Sequence, residues 1–175
     1  MNVIEVSKYS ATMLRRGRFL SEDWTSVSQL GQTWGGEVLT PARYLVTEDR
    51  YVAAAERFAR AVGVAELMVV GLEYWRDGGI DGLLDGYRDP PREGEWLDRT
   101  ASLFVLRRCL RELAWAELAV PGRLLIHPGH DLRLLIATSQ PYPEVEEAVR
   151  STGLFIHHGT YNLPTLDSWS TDPTE

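Results

Sequence analysis

The clearest pattern of apolar and polar positions predicts an amphipathic helix that ends near residue 63. Its apolar stripe, at spacings of four, three and four, consists of Tyr51, Ala55, Phe58 and Val62. Gly63 follows the stripe, as glycine commonly does at a helix C-terminus. Thr47 is a suitable N-cap, because Glu48 and Asp49 would then lie in the first turn, where negative charge suits the helix dipole. Alternatively, Thr40-Pro41 begins the helix a turn or two earlier, since proline is well tolerated at the first helical position.

A second amphipathic helix is predicted directly after Asp98, whose carboxylate can cap its N-terminus. The predicted buried stripe consists of Leu103, Leu106, Leu110 and Leu113. The side chains predicted to face outward are Arg107, Arg108 and Arg111. Cys109 lies beside the stripe, and we expect it in the core.

Apolar runs bounded by proline and glycine predict the strands. They are Asn2 to Val6, Glu66 to Trp75, Ala114 to Val120, Arg123 to His127, Leu132 to Thr138 and residues 154–156. Pro121-Gly122 and Pro128-Gly129 separate three consecutive runs, which predicts an antiparallel meander. The run from Glu66 is apolar on both faces, as in a central strand, and Gly71 within it indicates either a bulge or the close approach of another backbone. A short helix is predicted between the last two runs, from Glu144 to Thr152.

These elements predict an α+β fold in which a mainly antiparallel sheet packs against two or three amphipathic helices. A chain of 175 residues suits one domain, which we expect to span residues 1–166. An acidic, frayed tail is expected at residues 167–175. Residues 21–37 are rich in Ser, Thr and Gly and predict a loop, with Trp24 and Trp34 as packing anchors.

The charge of the chain narrows the classes of partner. Twenty-five acidic residues against 18 basic ones leave a net charge of −7, which disfavours nucleic acid and anionic membranes and favours a basic protein partner. Seventeen of the basic residues are Arg and only one, Lys8, is Lys. This skew is more typical of a GC-rich genome than of a need to bind anions.

A single cysteine, Cys109, excludes an intramolecular disulfide and a thiolate cluster for zinc or iron–sulfur, and is typical of a reducing compartment. The N-terminal sequence lacks the apolar core of a signal peptide, and no apolar run is long enough to span a membrane. We therefore expect a cytoplasmic protein without cofactors.

The stretch from Asp77 to Asp98 carries seven acids against Arg88 and Arg92, together with five glycines and Pro90-Pro91, and predicts a long loop. Its aromatic residues suit a protein interface, with carboxylates steering a basic partner. The predicted partner-binding residues are Asp77, Asp81, Asp85, Tyr87, Asp89, Glu93, Glu95 and Trp96. The alternative is a solvated acidic loop. The acid spacing does not follow the calcium-loop pattern.

The histidines suggest a second type of site. A metal site would use His127, His130, Asp131 and His157, whereas the simpler interpretation is that these histidines form hydrogen bonds at strand ends. A hydrolase would use Asp131 and a histidine with a serine such as Ser139 as nucleophile. Because the chain lacks a GxSxG elbow, an HExxH helix, a P-loop and a GxGxxG turn, we expect no enzyme and no metal.

The sequences LLIHPGHDLRLLIAT and PEVEEAVRSTGLFIHH, at residues 124–138 and 143–158, place a strand, turn, strand, helix and strand in succession. This run resembles the C-terminal halves of small acidic immunity proteins of bacterial polymorphic toxin systems, and EDRYVAAAERFARAVGV and LMVVGLEYW upstream are consistent with it. The resemblance implies a non-enzymatic cytosolic protein that binds and blocks a toxin domain, often a basic nuclease. The alternatives are a small hydrolase or metal-dependent enzyme that uses the turn at His127, His130 and Asp131, and a structural subunit of a larger assembly.

Overall fold

The structure, a computed structural model, describes residues 1–15, 18–19, 23–74, 91–161, 163 and 165. Its three helices are α1 (Pro41–Val62), α2 (Arg99–Leu110) and α3 (Pro143–Arg150). The strands of the main sheet are β1 (Asn2–Ser7), β6 (Glu66–Tyr74), β7 (Trp96–Asp98), β8 (Ala114–Val120), β9 (Leu124–Gly129), β10 (Arg133–Thr138) and β11 (Phe155–His158). Two short hairpins pair β2 (Leu14–Arg15) with β3 (Arg18–Phe19) and β4 (Thr33–Trp34) with β5 (Glu37–Val38).

The main sheet has seven strands in the order β11-β1-β10-β9-β8-β6-β7, and every neighbouring pair is antiparallel. The predicted α+β fold is therefore confirmed, and so is the meander, which is formed by β8, β9 and β10 in direct succession. Ile126 pairs with Leu118 on one side and with Ile136 on the other, so the three strands present their apolar residues to the same face.

The helices cover one face of the sheet, which we call the inner face. Its strands contribute Ile4, Val69, Leu118, Ile126 and Ile136 to a core shared with the three helices. Tyr51 and Phe58 from the predicted stripe of α1 are 0% and 1% exposed in this core. Each buried aromatic side chain of this size contributes about 1.5–3 kcal/mol of transfer free energy, so the stripe anchors the helix to the sheet.

The prediction that Thr47 caps α1 is wrong, and the alternative start at Thr40-Pro41 is correct. The Thr40 hydroxyl accepts a hydrogen bond from the Arg43 N–H at 3.3 Å, and Gly63 ends the helix with a φ of 71°. The two extra turns form because Tyr44, 1% exposed, packs on the core and its hydroxyl donates to the Leu110 carbonyl. Thr47 consequently lies within the helix and is buried.

Asp98 caps α2 as predicted, accepting a 2.8 Å hydrogen bond from the Ala101 N–H. The prediction that Arg111 faces outward is wrong, because its side chain is only 4% exposed. The Arg111 Nε and Nη2 donate to Glu48 at 2.6 and 2.7 Å, and Arg107 Nη1 donates to the same carboxylate at 2.6 Å. Helix α2 ends at Leu110, so Arg111 turns inward and joins α1 to α2 through this buried ion pair.

The predicted bulge in β6 is confirmed: Gly71 has a φ of 65°, and the register with β8 shifts between Val70 and Glu73. The strand is next to the sheet edge, however, because residues 96–98 form β7 beside it. The predicted loop from Asp77 to Asp98 is therefore wrong at residues 96–98, which form a strand. The strand β7 forms because Leu97 pairs with Leu67 and both side chains are buried. This pairing joins residues that lie 30 positions apart in the sequence.

The opposite face of the sheet, which we call the outer face, carries a smaller apolar cluster. Ala119, Leu125 and Ala137 pack there with Leu163, which is 3% exposed. The chain after β11 thus crosses the outer face, and the Thr165 hydroxyl donates to Glu117. The predicted tail at residues 167–175 lies outside the described residues.

Candidate functional site

Only part of the predicted acidic site lies within the described residues. Glu93, Glu95 and Trp96 are described, and all three are exposed. The other predicted site residues, which are Asp77, Asp81, Asp85, Tyr87 and Asp89, lie outside the described residues.

Backbone hydrogen bonds hold the segment at residues 91–98 against β6. The Val69 N–H donates to the Glu95 carbonyl, and the Gly94 N–H donates to the Val69 carbonyl, both at 2.9 Å. The Glu93 carboxylate accepts from the Gly71 N–H at 3.1 Å and from the Leu72 N–H at 2.7 Å. Glu93 therefore closes the β-bulge as well as contributing charge at the surface.

Carboxylates and two aromatic side chains share this edge of the sheet. The set, which we call the acidic edge, consists of Glu66, Glu73, Tyr74, Glu93, Glu95, Trp96 and Asp98, and all of its members are exposed. Trp96 is 50% exposed and Tyr74 is 40% exposed. Trp96 pairs with Met68 in β6, so its indole lies on the outer face of the edge strand. Tyr74 is oriented by a 3.0 Å hydrogen bond from its hydroxyl to the Pro91 carbonyl.

Two of the four histidines bind acidic side chains rather than one another. His127 Nδ1 lies 2.5 Å from Glu117 Oε1, and His158 Nε2 lies 3.0 Å from Glu146 Oε2. Burial opposes ionisation of Glu117, but the hydrogen bonds from His127 and Thr165 outweigh it and hold the pKa of the carboxyl below its ordinary value. This cluster is therefore an ionised carboxylate with both oxygens occupied.

The structure does not gather the four residues of the predicted metal site. His157 lies on β11 and His127 on β9, three strand spacings apart or about 14 Å, and His157 Nε2 donates to the Tyr9 carbonyl at 2.8 Å. Within the described ranges, no group of three or more His, Cys, Asp or Glu side chains is arranged to hold a metal ion.

His130 and Asp131 instead line a cavity of about 340 Å³, which we call the histidine pocket. The other described residues that line it include Ser26, Cys109, Glu112 and Trp115. The His130 ring stacks on Trp115 with 5.5 Å between centroids, and Ser26 Oγ donates to Glu112 Oε1 at 2.5 Å. Burial raises the pKa of the Cys109 thiol to about 12, so it is not a thiolate near neutral pH.

Three non-glycine residues with left-handed backbone lie at the histidine pocket. Glu112, Asp131 and Leu132 have φ angles of 57°, 58° and 51°, and all three line the pocket. Such conformations cost non-glycine residues about 1–2 kcal/mol each, and they persist where packing imposes them. Here the Tyr51 hydroxyl, itself buried, donates to the Leu132 carbonyl and holds the turn.

Ser139, the nucleophile considered for a hydrolase, lies apart from this pocket. It follows β10, whereas Asp131 precedes it, and six strand residues separate the two by roughly 20 Å. Glu112 and Trp115 were not predicted as pocket residues from the sequence, because Glu112 lies in the turn after α2 and Trp115 lies at the start of β8. No motif in the sequence marks either residue as part of a pocket.

The chain matches no protein-family model, no curated protein and no solved structure. In the part of the chain that the structure describes, no helix is both long and apolar enough to cross a membrane.

Proposed function

We propose that the protein binds a basic protein partner through the acidic edge, and that this partner is a toxin domain which it blocks, as immunity proteins do. The observation that carries the proposal is Trp96, whose indole is 50% exposed on an edge strand and shares the acidic edge with exposed carboxylates. Tryptophan is enriched among the residues that dominate binding energy at protein interfaces, and surrounding carboxylates steer a basic partner.

The carboxylates alone have a simpler role, because charges on an edge strand also discourage pairing with another sheet. An exposed tryptophan does not serve that role, since it adds apolar surface to the same edge. The combination is what supports binding. Helix α2 and the backbone bonds at residues 91–95 make the edge rigid, so little ordering entropy opposes association.

The test uses the C-terminal domain of a large secreted protein encoded directly beside this gene, because the resemblance to immunity proteins implies such a neighbour. Trp96→Ala should weaken binding of that domain by at least tenfold in a calorimetric titration, as is usual for a central interface tryptophan. Phe155→Ala is the matched control, because Phe155 is a similarly exposed aromatic (42%) on the opposite edge strand, β11. The proposal would be contradicted if Trp96→Ala and Phe155→Ala lost equal binding affinity, or if the wild-type protein did not bind the domain.

A second candidate function is small-molecule hydrolysis in the histidine pocket, which its left-handed residues and its volume of about 340 Å³ favour. His130 would act as general base there, oriented by its stacking on Trp115. Wild-type protein should then hydrolyse p-nitrophenyl acetate faster than His130→Gln. Equal hydrolysis rates for the wild type and His130→Gln would contradict this second candidate function.

A further inference from the structure

A second cavity, of about 390 Å³, lies between the end of β1 and the first half of α1. We call it the lysine pocket, because its wall includes Lys8, the only lysine of the chain. The described residues that line it are Lys8, Asp23, Trp24, Arg43, Val46, Thr47, Arg50 and Gly153. Four strands separate β1 from β7, so the lysine pocket is distinct from the acidic edge.

The charge of this cavity is opposite to that of the protein. Among the described residues that line it, three cations face a single carboxylate, Asp23, whereas the whole chain has a net charge of −7. Clustering three cations costs electrostatic free energy unless an anion compensates them. Asp23 binds Lys8 at 2.9 Å, and Glu37 lies 3.1 Å from Arg43, so each of those cations has a partner. Arg50, at the pocket mouth, is exposed.

The ammonium group of Lys8 is built into the pocket wall rather than extended into solvent. Its side chain is only 9% exposed, and Nζ lies 3.5 Å from the centroid of the Trp24 ring. Burial lowers the pKa of Lys8 to about 8, against the opposing effect of Asp23, so the ammonium remains mainly charged at pH 7. The ammonium donates to Asp23 at 2.9 Å and has two further N–H donors, which suit an oxyanion.

The side chains around Lys8 complete a site for an oxyanion. Arg43 and Arg50 lie on α1 seven residues apart, which is two helical turns, so both reach the same side of the helix. The guanidinium of Arg50 lies beside Gly153, since a side-chain carbon at that glycine would be 3.5 Å from Arg50 Nη1. Guanidinium groups bind phosphate and carboxylate through paired N–H donors, and lysine binds them as a point charge.

We propose that the lysine pocket binds a small molecule carrying a phosphate or carboxylate group, held by Arg43, Arg50 and the Lys8 ammonium, which itself lies against the buried Trp24 ring. The volume of about 390 Å³ is ample for a small organic anion and lies within the usual range of ligand pockets. This site is independent of the acidic edge, so the proposal does not depend on the toxin partner.

The test is a titration of the full chain with sodium phosphate, with sodium chloride at equal ionic strength as reference. Binding to the folded state should raise the melting temperature saturably with phosphate and not with chloride. In ¹H–¹⁵N spectra the indole N–H signal of Trp24 should shift with phosphate, whereas that of Trp96 should not. Sodium acetate at equal ionic strength distinguishes a carboxylate ligand from a phosphate, and saturable binding of either supports the site.

Matched charge variants locate the binding. Arg50→Gln should weaken phosphate binding by about tenfold, because it removes one charge-assisted contact, and Arg50 is exposed. Arg60→Gln removes the same charge from an exposed residue of the same helix outside the pocket, and it should leave the affinity unchanged. Equal losses in the two variants, or no difference between phosphate, acetate and chloride, would overturn the proposal.

Discussion

At the scale of single residues, the carboxylate of Glu48 depends most on its hydrogen-bond partners, because it is fully buried and accepts hydrogen bonds from Arg107 and Arg111. Removal of one partner of a buried ion pair leaves an uncompensated charge, so Glu48→Gln should lower the free energy of unfolding by about 3–5 kcal/mol. Urea denaturation monitored by circular dichroism measures this loss.

Glu56→Gln is the control for that measurement, because Glu56 forms an exposed pair with Arg60 on the same helix. Exposed pairs of this type contribute only about 0.3–0.5 kcal/mol. If the two variants lose similar stability, Glu48 is not the electrostatic link between α1 and α2 that its geometry indicates.

Cys109 predicts a specific dependence of stability on pH. Its ordinary pKa of 9.0 is raised to about 12 in the fold, chiefly by burial. Between these pH values the unfolded chain has released the thiol proton and the folded chain has kept it, so the unfolded state binds fewer protons and stability falls as pH rises. From pH 8.5 to 10, wild type should lose about 1 kcal/mol more than Cys109→Ala.

The comparison uses the change in the free energy of unfolding with pH rather than its absolute value, since Cys109→Ala also removes buried volume. Tyr9, Tyr44 and Tyr51 have pKa values raised by burial as well, but they are present in both proteins and cancel in the difference. Urea midpoints at pH 8.5, 9.25 and 10 give the two slopes. Parallel slopes would show that the thiol is not protected from ionisation.

At the scale of elements, Gly71 decides how β6 meets its neighbours. Its φ of 65° lies in the left-handed region, and no atom would block an added side-chain carbon there, so conformation rather than space restricts the residue. Gly71→Val should therefore destabilise the protein by about 2 kcal/mol, because a β-branched side chain disfavours this backbone.

Gly71→Asn provides the matched comparison, since asparagine tolerates left-handed backbone better than valine. It should cost less than half as much as valine in the same urea experiment. If both variants lost similar stability, the left-handed backbone of the bulge, which the hydrogen bonds to Glu93 hold, would not be the reason for glycine at this position.

At the scale of the whole molecule, the proposed binding of a basic partner predicts that the distribution of charge controls the association rate. Removing two charges from the acidic edge, in Glu66→Gln with Glu95→Gln, should slow association severalfold at low salt and reduce its dependence on salt. The paired change Glu144→Gln with Glu147→Gln removes equal charge from the exposed side of α3 and should have a smaller effect. Stopped-flow association rates at about 50 and 500 mM salt, where the screening length falls severalfold, measure both.

Local pattern was sufficient to predict most of the elements. The stripe through Tyr51 and Phe58, the Asp98 cap and the meander follow from neighbours within a few residues, and the physical preferences that produce them act over the same distance. The start of α1 was ambiguous, because Thr40 and Thr47 are both suitable caps. The contact of Tyr44 with the core decided between them.

What the sequence determined by itself was therefore the type of most segments, the bulge at Gly71 and the acidic character of the chain. Only the tertiary structure decided that residues 96–98 pair with β6, that Arg111 turns inward to Glu48, and that Lys8 lies in a pocket with two arginines. The physical reason is distance along the chain. These contacts join residues roughly 30 to 60 positions apart, and their free energy arises from burial and pairing that no local pattern encodes.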